Sequence, residues 1–488
     1  MILGMYVHQH WPYNHPYAAR TWTLEDWRGY AGALKQLGYN AVMIWPMIET
    51  MPAPLTPSDQ AYLERTARVI DMLHGEFGMS AWLTLCPNVA ADDAQAARAP
   101  FEKRHFFYCD RRINPADRTA VLAMMERRRR ILQPLANVDA IAIIDSDPGG
   151  YPGSTNAEFI ALLAEHRRML DSLRPGIELV YWMHAGWQAY GDFYRTGCFR
   201  LGTEDEHADM LEKLRTLNPE PWGIAAGDLG SASARVAKLG LAERLISFSY
   251  GRIEGEPSFP FTNFGDNSAF EGGKQAAARG VMGNAQTHCV QLPNTFAFAR
   301  GAAGLPVRQD DYLKFADDLI PGQGPLIVAA WQALASADPL GMRSAAGKLD
   351  AVPDQKHIPG PLGGLLFGSP RRFLLDLAAQ LRVKAAFETL RSCTGQSSRE
   401  ALREFVRAVK VWQGRHGYEN AWWWPGLNEI LRSLGSPSID AVLDTQWAVD
   451  SAPPPGWSGS GYDFTHQFLS DTESYTPRLI AALEKACE

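Results

Sequence analysis

At 488 residues, with 46% hydrophobic and 21% charged residues, the chain has the composition of a folded protein too long for one growing core. Two domains are expected and disorder is excluded. A net charge of −7 argues against a phosphate-backbone partner, so no nucleic acid is expected.

The N-terminus, Met1 to His8, reads as a strand and lacks the charged start and long apolar run of a signal peptide. No run of about 18 apolar residues occurs, so no membrane span is expected. From there a short apolar run, a polar loop and a helix-spaced segment alternate eight times. Strand Ile2–His8 precedes helix Leu24–Leu37, Ala41–Pro46 precedes Asp59–His74, Ala81–Cys86 precedes Pro115–Leu132, and Ala140–Ile144 precedes Thr155–Leu173. Then Leu179–His184 precedes Glu206–Leu217, Gly223–Ala226 precedes Ser231–Leu239, Leu245–Tyr250 precedes Ala269–Ala277, and Gly280–Ala285 precedes Val290–Arg300. Thr23 before Glu25 and Asp26 is a helix start and Gly38 a stop; Ser58 and Gly75 repeat that punctuation. The run Arg127 to Arg130 falls in a helix, where four successive side chains point in different directions, and is read as solvated surface.

Near-continuous apolar strands alternating with helices indicate a parallel sheet covered by helices. The fold class is therefore α/β, a closed (β/α)₈ TIM barrel over residues 1–304. An open doubly wound sheet is the alternative, disfavoured because no GxGxxG or phosphate loop follows an early strand. Residues 305–488 read as a mainly helical C-terminal domain, with helices Gln309–Leu319, Leu326–Ala337, Arg371–Arg391, Ser398–Gly414 and Tyr475–Lys485. Its Trp422-Trp423-Trp424 cluster is expected to pack this domain against the barrel. The six cysteines, Cys86, Cys109, Cys198, Cys289, Cys393 and Cys487, show no CxxC pair, which fits reduced thiols in a cytoplasm better than a disulfide framework or zinc site.

Active sites of such barrels form at the C-terminal strand ends. The residues there are His8 and His10 after strand one, Trp45 and Glu49 after two, Asn88 after three, and Asp145 and Asp147 after four. Strand five supplies Trp182, His184 and Trp187, strand six Asp228, strand seven Tyr250, Arg252 and Glu254, and strand eight Asn284, Gln286 and His288. Flat aromatic faces with planar polar groups suit a carbohydrate substrate. Paired carboxylates suit glycosidic cleavage, one protonating the leaving oxygen while the other attacks the anomeric carbon or activates water. Asp147, Glu254, Asp228 and Asp145 are the catalytic candidates, against plainer roles: turn caps for Asp145, Asp147 and Asp228, and a salt bridge to Arg252 for Glu254. The other rim residues are assigned to substrate binding. No cofactor is expected, and a homo-oligomer is left open.

Trp22 to Trp27 with Gly38 to Val42, the Asp145 to Tyr151 loop, and Gly283 to Asn294 resemble the barrel glycoside hydrolases of the α-glucuronidase type, and more distantly the β-hexosaminidase type. The resemblance implies an acid after the fourth strand and carboxylate partners from later ones, a layout matched by Asp147, Asp228 and Glu254. That type uses Glu as its acid, so Asp147 departs from it.

Two other classes stand beside this reading. His8-Gln9-His10 resembles the HxH metal motif of amidohydrolases, and alternating residues share a face, so both imidazoles can reach one ion. That family's later Lys, His and Asp are not visible in the chain. The third class is a non-catalytic carbohydrate-binding barrel that keeps its tryptophans but lacks a spaced acid pair.

Overall fold

The computed structural model describes residues 1–9, 13–104, 110–146, 149–189, 201–227, 229–249, 264–265, 267–285, 292–393, 397–417, 427–444 and 478–487. Ten strands are described: β1 (Ile2–Val7), β2 (Ala41–Ile44), β3 (Ser80–Leu85), β4 (Val89–Ala91), β5 (Asp110–Arg112), β6 (Ala140–Ile144), β7 (Glu178–Met183), β8 (Trp222–Ala226), β9 (Leu245–Ser249) and β10 (Gly280–Ala285). Eight of them close into a parallel barrel in the order β1-β10-β9-β8-β7-β6-β3-β2. The remaining two, β4 and β5, form an antiparallel hairpin in the segment after β3 that the apolar pattern did not reveal.

Register partners in a parallel sheet share a face, so one inward residue fixes the others. Tyr6 meets rings from β7 and β9, neither of which adjoins β1, so its face, shared by Gly4 and Met282, is the inner one. The same parity turns Tyr6 and His8 of the first strand, Trp182 and His184 of the fifth barrel strand, Phe248 and Asn284 inward. The rings of Tyr6, Trp182 and Phe248 meet across the lumen with centroids 5.6, 5.6 and 4.1 Å apart. They fill the upper interior as a packed layer, not a pore. At the opposite end Arg279 pairs with Glu178, with Nη1 2.5 Å from Oε1, and Gly223 leaves room for the guanidinium that a Cβ would strike.

Helix starts follow their caps. Thr23 caps Leu24–Gln36 in a reciprocal capping box with Asp26. Thr155 caps Asn156–Leu173 in the same way with Glu158. The expected start at Ser58 is corrected: Thr56 is the cap, Pro57 opens the helix Pro57–Gly75, and Asp59 closes the box. Pro57 fits there because the first helical N–H needs no partner. The basic run is corrected in part as well. Arg129 and Arg130 pair with Glu126 at the surface, but Arg128 is buried, because a helix turning about 100° per residue sends one side chain of such a run inward.

Beyond β10 the described residues are helical, including Gln309–Leu319, Gly324–Ala335, Pro339–Asp350, Pro370–Ser392 and Ser397–His416. Pro339–Asp350, Leu427–Ser433 and Pro437–Leu443 were not read from the sequence. Trp422 to Trp424 lie outside the described residues. One continuous apolar core runs from the barrel into these helices. Its seam lies at helix Leu24–Gln36, where Gly29 and Gly364 touch so closely that a Cβ on Gly364 would overlap the Gly29 carbonyl. Phe367 packs on Trp22 and Tyr30, with ring centroids 4.5 and 5.8 Å away. Phe367 holds a left-handed φ of 51°. Such strain costs about 1–3 kcal/mol, which burying the ring, worth about 1.5–3 kcal/mol, and its aromatic contacts offset. Among the described residues no helix is long and apolar enough to cross a membrane.

Candidate active site

At the C-terminal mouth of the barrel the inward parity puts His8 and His184 one pleat beyond Tyr6 and Trp182 of the aromatic layer, with Asn284 in register with Tyr6. The His8 ring stands edge-on to Tyr6 at 5.9 Å, and the His184 ring edge-on to Trp182 at 6.4 Å. Asn284 is fully buried, and neither its amide nitrogen nor its oxygen has a hydrogen-bond partner among the described residues. The same holds for the inward-facing Thr84 hydroxyl. Buried polar atoms of this kind are costly unless something satisfies them, so they mark a place where water or a ligand is held.

Beside His184 lies a cavity of about 220 Å³ lined by Trp182, His184, Glu204, His207, Arg235 and Phe248. Gly186, at φ 98°, and Gly202 make space for His207, since a Cβ on either would come within 3.1 or 2.9 Å of its Nε2. Burial holds the His207 imidazole below its usual pKa, against the pull of Asp145. Glu204, His207 and Arg235 were missed by the sequence reading. They arrive from helices Glu204–Leu217 and Leu229–Lys238, and no strand-end pattern points to them.

Asp145, one of the catalytic candidates, is fully buried, and its oxygens accept from four donors. Oδ2 takes the Tyr181 hydroxyl at 2.9 Å, and Oδ1 takes the Ser146 hydroxyl at 2.8 Å and the backbone N–H groups of His184 and Gly186 at 3.2 and 3.1 Å. Ser146 adds a bond from the Ala185 N–H at 3.0 Å, so the end of β6 is stapled to the loop after β7. Burial and the adjacent Asp145 charge push the Tyr181 phenol well above its usual pKa.

Glu49 and Trp45, both assigned to substrate binding, are buried and bonded to each other. Glu49 is buried, its Oε1 accepting the Cys86 N–H at 2.7 Å and its Oε2 the Trp45 indole N–H at 3.3 Å. Burial raises its carboxyl above the usual range although Arg128 pulls the other way. Arg128 donates to the carbonyls of Pro87 and Val89 and, at 2.7 Å, to His166. Asn88 ties the same loop to the next one by donating to the carbonyls of Ile113 and Gly150. Trp187 is not at the mouth: its indole is buried against Phe159, ring centroids 4.9 Å apart, in the helix layer. His10, Asp147, Asp228, Tyr250, Arg252, Glu254, Gln286 and His288 lie outside the described residues.

The support beneath the mouth is sensitive to acid. His166 is fully buried, with Nδ1 donating to the Leu162 carbonyl at 2.8 Å and Nε2 facing the Arg128 guanidinium. Burial first, and the Arg128 charge second, hold its pKa down at about 3. An unfolded histidine titrates near 6.5. Between these values the unfolded chain binds a proton that the folded chain refuses, so stability is full above the unfolded value and falls as pH drops, by about 1.4 kcal/mol per unit. His166→Gln should therefore flatten the fall in denaturation midpoint between about pH 6 and pH 4. An unchanged slope would assign the acid sensitivity to other groups.

No family model matches the chain, and no curated protein matches it. Among solved structures the chain is similar to a GH138 enzyme targeting pectin rhamnogalacturonan II, at 8% identity and TM-score 0.46, over 98% of this chain and 68% of that one. It is similar to the GH20 β-N-acetylhexosaminidase from Streptomyces coelicolor A3(2), at 11% identity and TM-score 0.40, over 66% of this chain and 68% of that one. It is also similar to the N-acetylneuraminate lyase from Aliivibrio salmonicida, at 12% identity and TM-score 0.34, over 78% of this chain and 96% of that one.

Proposed function

We propose that the chain is a glycoside hydrolase that releases sugars from chain ends by carboxylate acid–base chemistry, without a metal. The observation that carries this reading is the mouth itself, where two imidazoles stand edge-on to the Tyr6 and Trp182 rings of the aromatic layer and a buried, unsatisfied asparagine amide lies in register with Tyr6. Hydrogen-bonding groups of fixed direction above apolar ring surface suit a molecule with hydroxyls on its edge and C–H bonds on its face. Carboxylates stand three, two and five residues past the ends of β6, β8 and β9 in the sequence, at Asp147, Asp228 and Glu254. In this reading Asp147 delivers a proton to the glycosidic oxygen as its bond to the anomeric carbon breaks. Glu254 or Asp228 attacks that carbon or takes a proton from the water that does. Asp145 takes no part in the chemistry and holds the loop that carries His184.

Chain-end action follows from the walls of the mouth. The segment after β3 folds back as the β4–β5 hairpin and is tied through Asn88 to Gly150 of the loop after β6. A panel of aryl glycosides and oligosaccharides, assayed with and without exhaustive EDTA, tests the proposal. Stepwise release of single sugars, undiminished by chelator, is the expected result. Activity that vanishes in EDTA and returns with one divalent ion would favour the metal chemistry of His8 and His10. A rapid fall in polysaccharide viscosity with few free monosaccharides would refute chain-end action, and binding without turnover on any glycoside would leave a carbohydrate-binding barrel.

A further inference from the structure

We infer that Asp145 and Ser146 are positioning residues that lock His184, beside the mouth, in the Nδ1–H tautomer. Ser146 Oγ carries one hydrogen and two lone pairs and has three partners: Asp145 Oδ1 at 2.8 Å, the Ala185 N–H at 3.0 Å and His184 Nδ1 at 3.1 Å. The backbone N–H can only donate, so it fills one lone pair. A carboxylate oxygen can only accept, so the serine hydrogen lies on the line to Asp145. One lone pair remains for His184, and Nδ1 must bring the proton to it. A neutral imidazole protonated at Nδ1 has its lone pair at Nε2, on the far edge of the ring.

The donors around Asp145 make this arrangement rigid. Its Oδ1 is already fixed by the N–H groups of His184 and Gly186 and its Oδ2 by Tyr181, so the serine hydrogen has no better place to turn. Because the N–H groups come from the loop that bears His184, backbone and ring of this histidine are set by the same carboxylate. His184 lines the cavity beside the mouth.

The test needs no ligand. Protein labelled with ¹⁵N in its histidine rings is examined by long-range ¹H–¹⁵N correlation, with the His184→Gln variant assigning the signals. A single Nδ1–H pattern for His184 is expected in the native protein, and Ser146→Ala should replace it by a mixture of tautomers or by the Nε2–H form. A native spectrum with the proton on Nε2, or with both forms populated, overturns the proposal whether or not the variant folds. A folded Ser146→Ala protein that keeps the pure Nδ1–H pattern overturns the role of Ser146. Failure of every glycoside assay would leave the native spectrum unaffected, so the two readings fail separately.

Discussion

Replacing Asp147 by asparagine should lower hydrolysis of natural oligosaccharides by a factor on the order of 10² to 10⁴ while the protein stays folded. The amide keeps the size and planarity of the carboxyl but has no proton to deliver to a departing oxygen. A general acid must hold its proton near neutral pH, and a like charge nearby favours that form. Asp145, two positions earlier in the chain, is a buried carboxylate. Substrates whose leaving groups depart without protonation, such as nitrophenyl glycosides, should be much less affected than natural ones. Circular dichroism and thermal melting establish that the variant is folded, and rates on both substrate types supply the contrast. A folded variant that cleaves natural oligosaccharides at nearly the native rate would make Asp147 a turn residue and put Glu254 next in line as the acid.

Replacing Arg128 by methionine should cost about 3–5 kcal/mol of stability, because three buried acceptors lose their donor at once. The change leaves Glu49 buried without its counter-charge and strips the carbonyls of Pro87 and Val89 of a donor. It also leaves His166 Nε2 without the guanidinium that now satisfies it. Glu49→Gln in the same chain should recover part of the loss, because the amide removes the stranded charge while an oxygen remains for the Cys86 N–H. Urea denaturation of the two single variants and the double variant measures the coupling. A loss under about 1 kcal/mol for Arg128→Met would mean that water reaches these acceptors and takes the place of the guanidinium.

The eight barrel strands were legible because both faces of each are buried, which leaves uninterrupted apolar runs that no surface helix would show. Their ends were overshot at His8 and Pro46, which lie one and two residues past β1 and β2 and keep an aromatic or apolar character. The site was legible only as a list. Asp145 and Asp147 are the same residue type in one short loop, and what marks Asp145 as scaffold is a hydroxyl from Tyr181, 36 residues later, with N–H groups from beyond it. Trp187 and Trp182 look alike as tryptophans near a strand end, yet strand parity sends Trp182 into the lumen while Trp187, past the strand, packs on Phe159. Arg128 could not be told from its three neighbours, because a run of identical residues carries no signal of which one meets the core. The hairpin β4–β5 was hidden for a related reason: Asp110-Arg111-Arg112 has no apolar alternation and pairs through its backbone.

The close contact of Gly29 with Gly364 also sets a timetable for synthesis. The first barrel helix leaves the ribosome roughly 330 residues before the turn that covers it, on the order of tens of seconds at usual elongation rates. Through that interval the face of Trp22 and Tyr30 that Phe367 will occupy is bare. A nascent barrel therefore carries a sticky aromatic patch for most of its time on the ribosome. Chains ended early, between Ala302 and Phe367, would keep it permanently and be drawn into aggregates or held by chaperones.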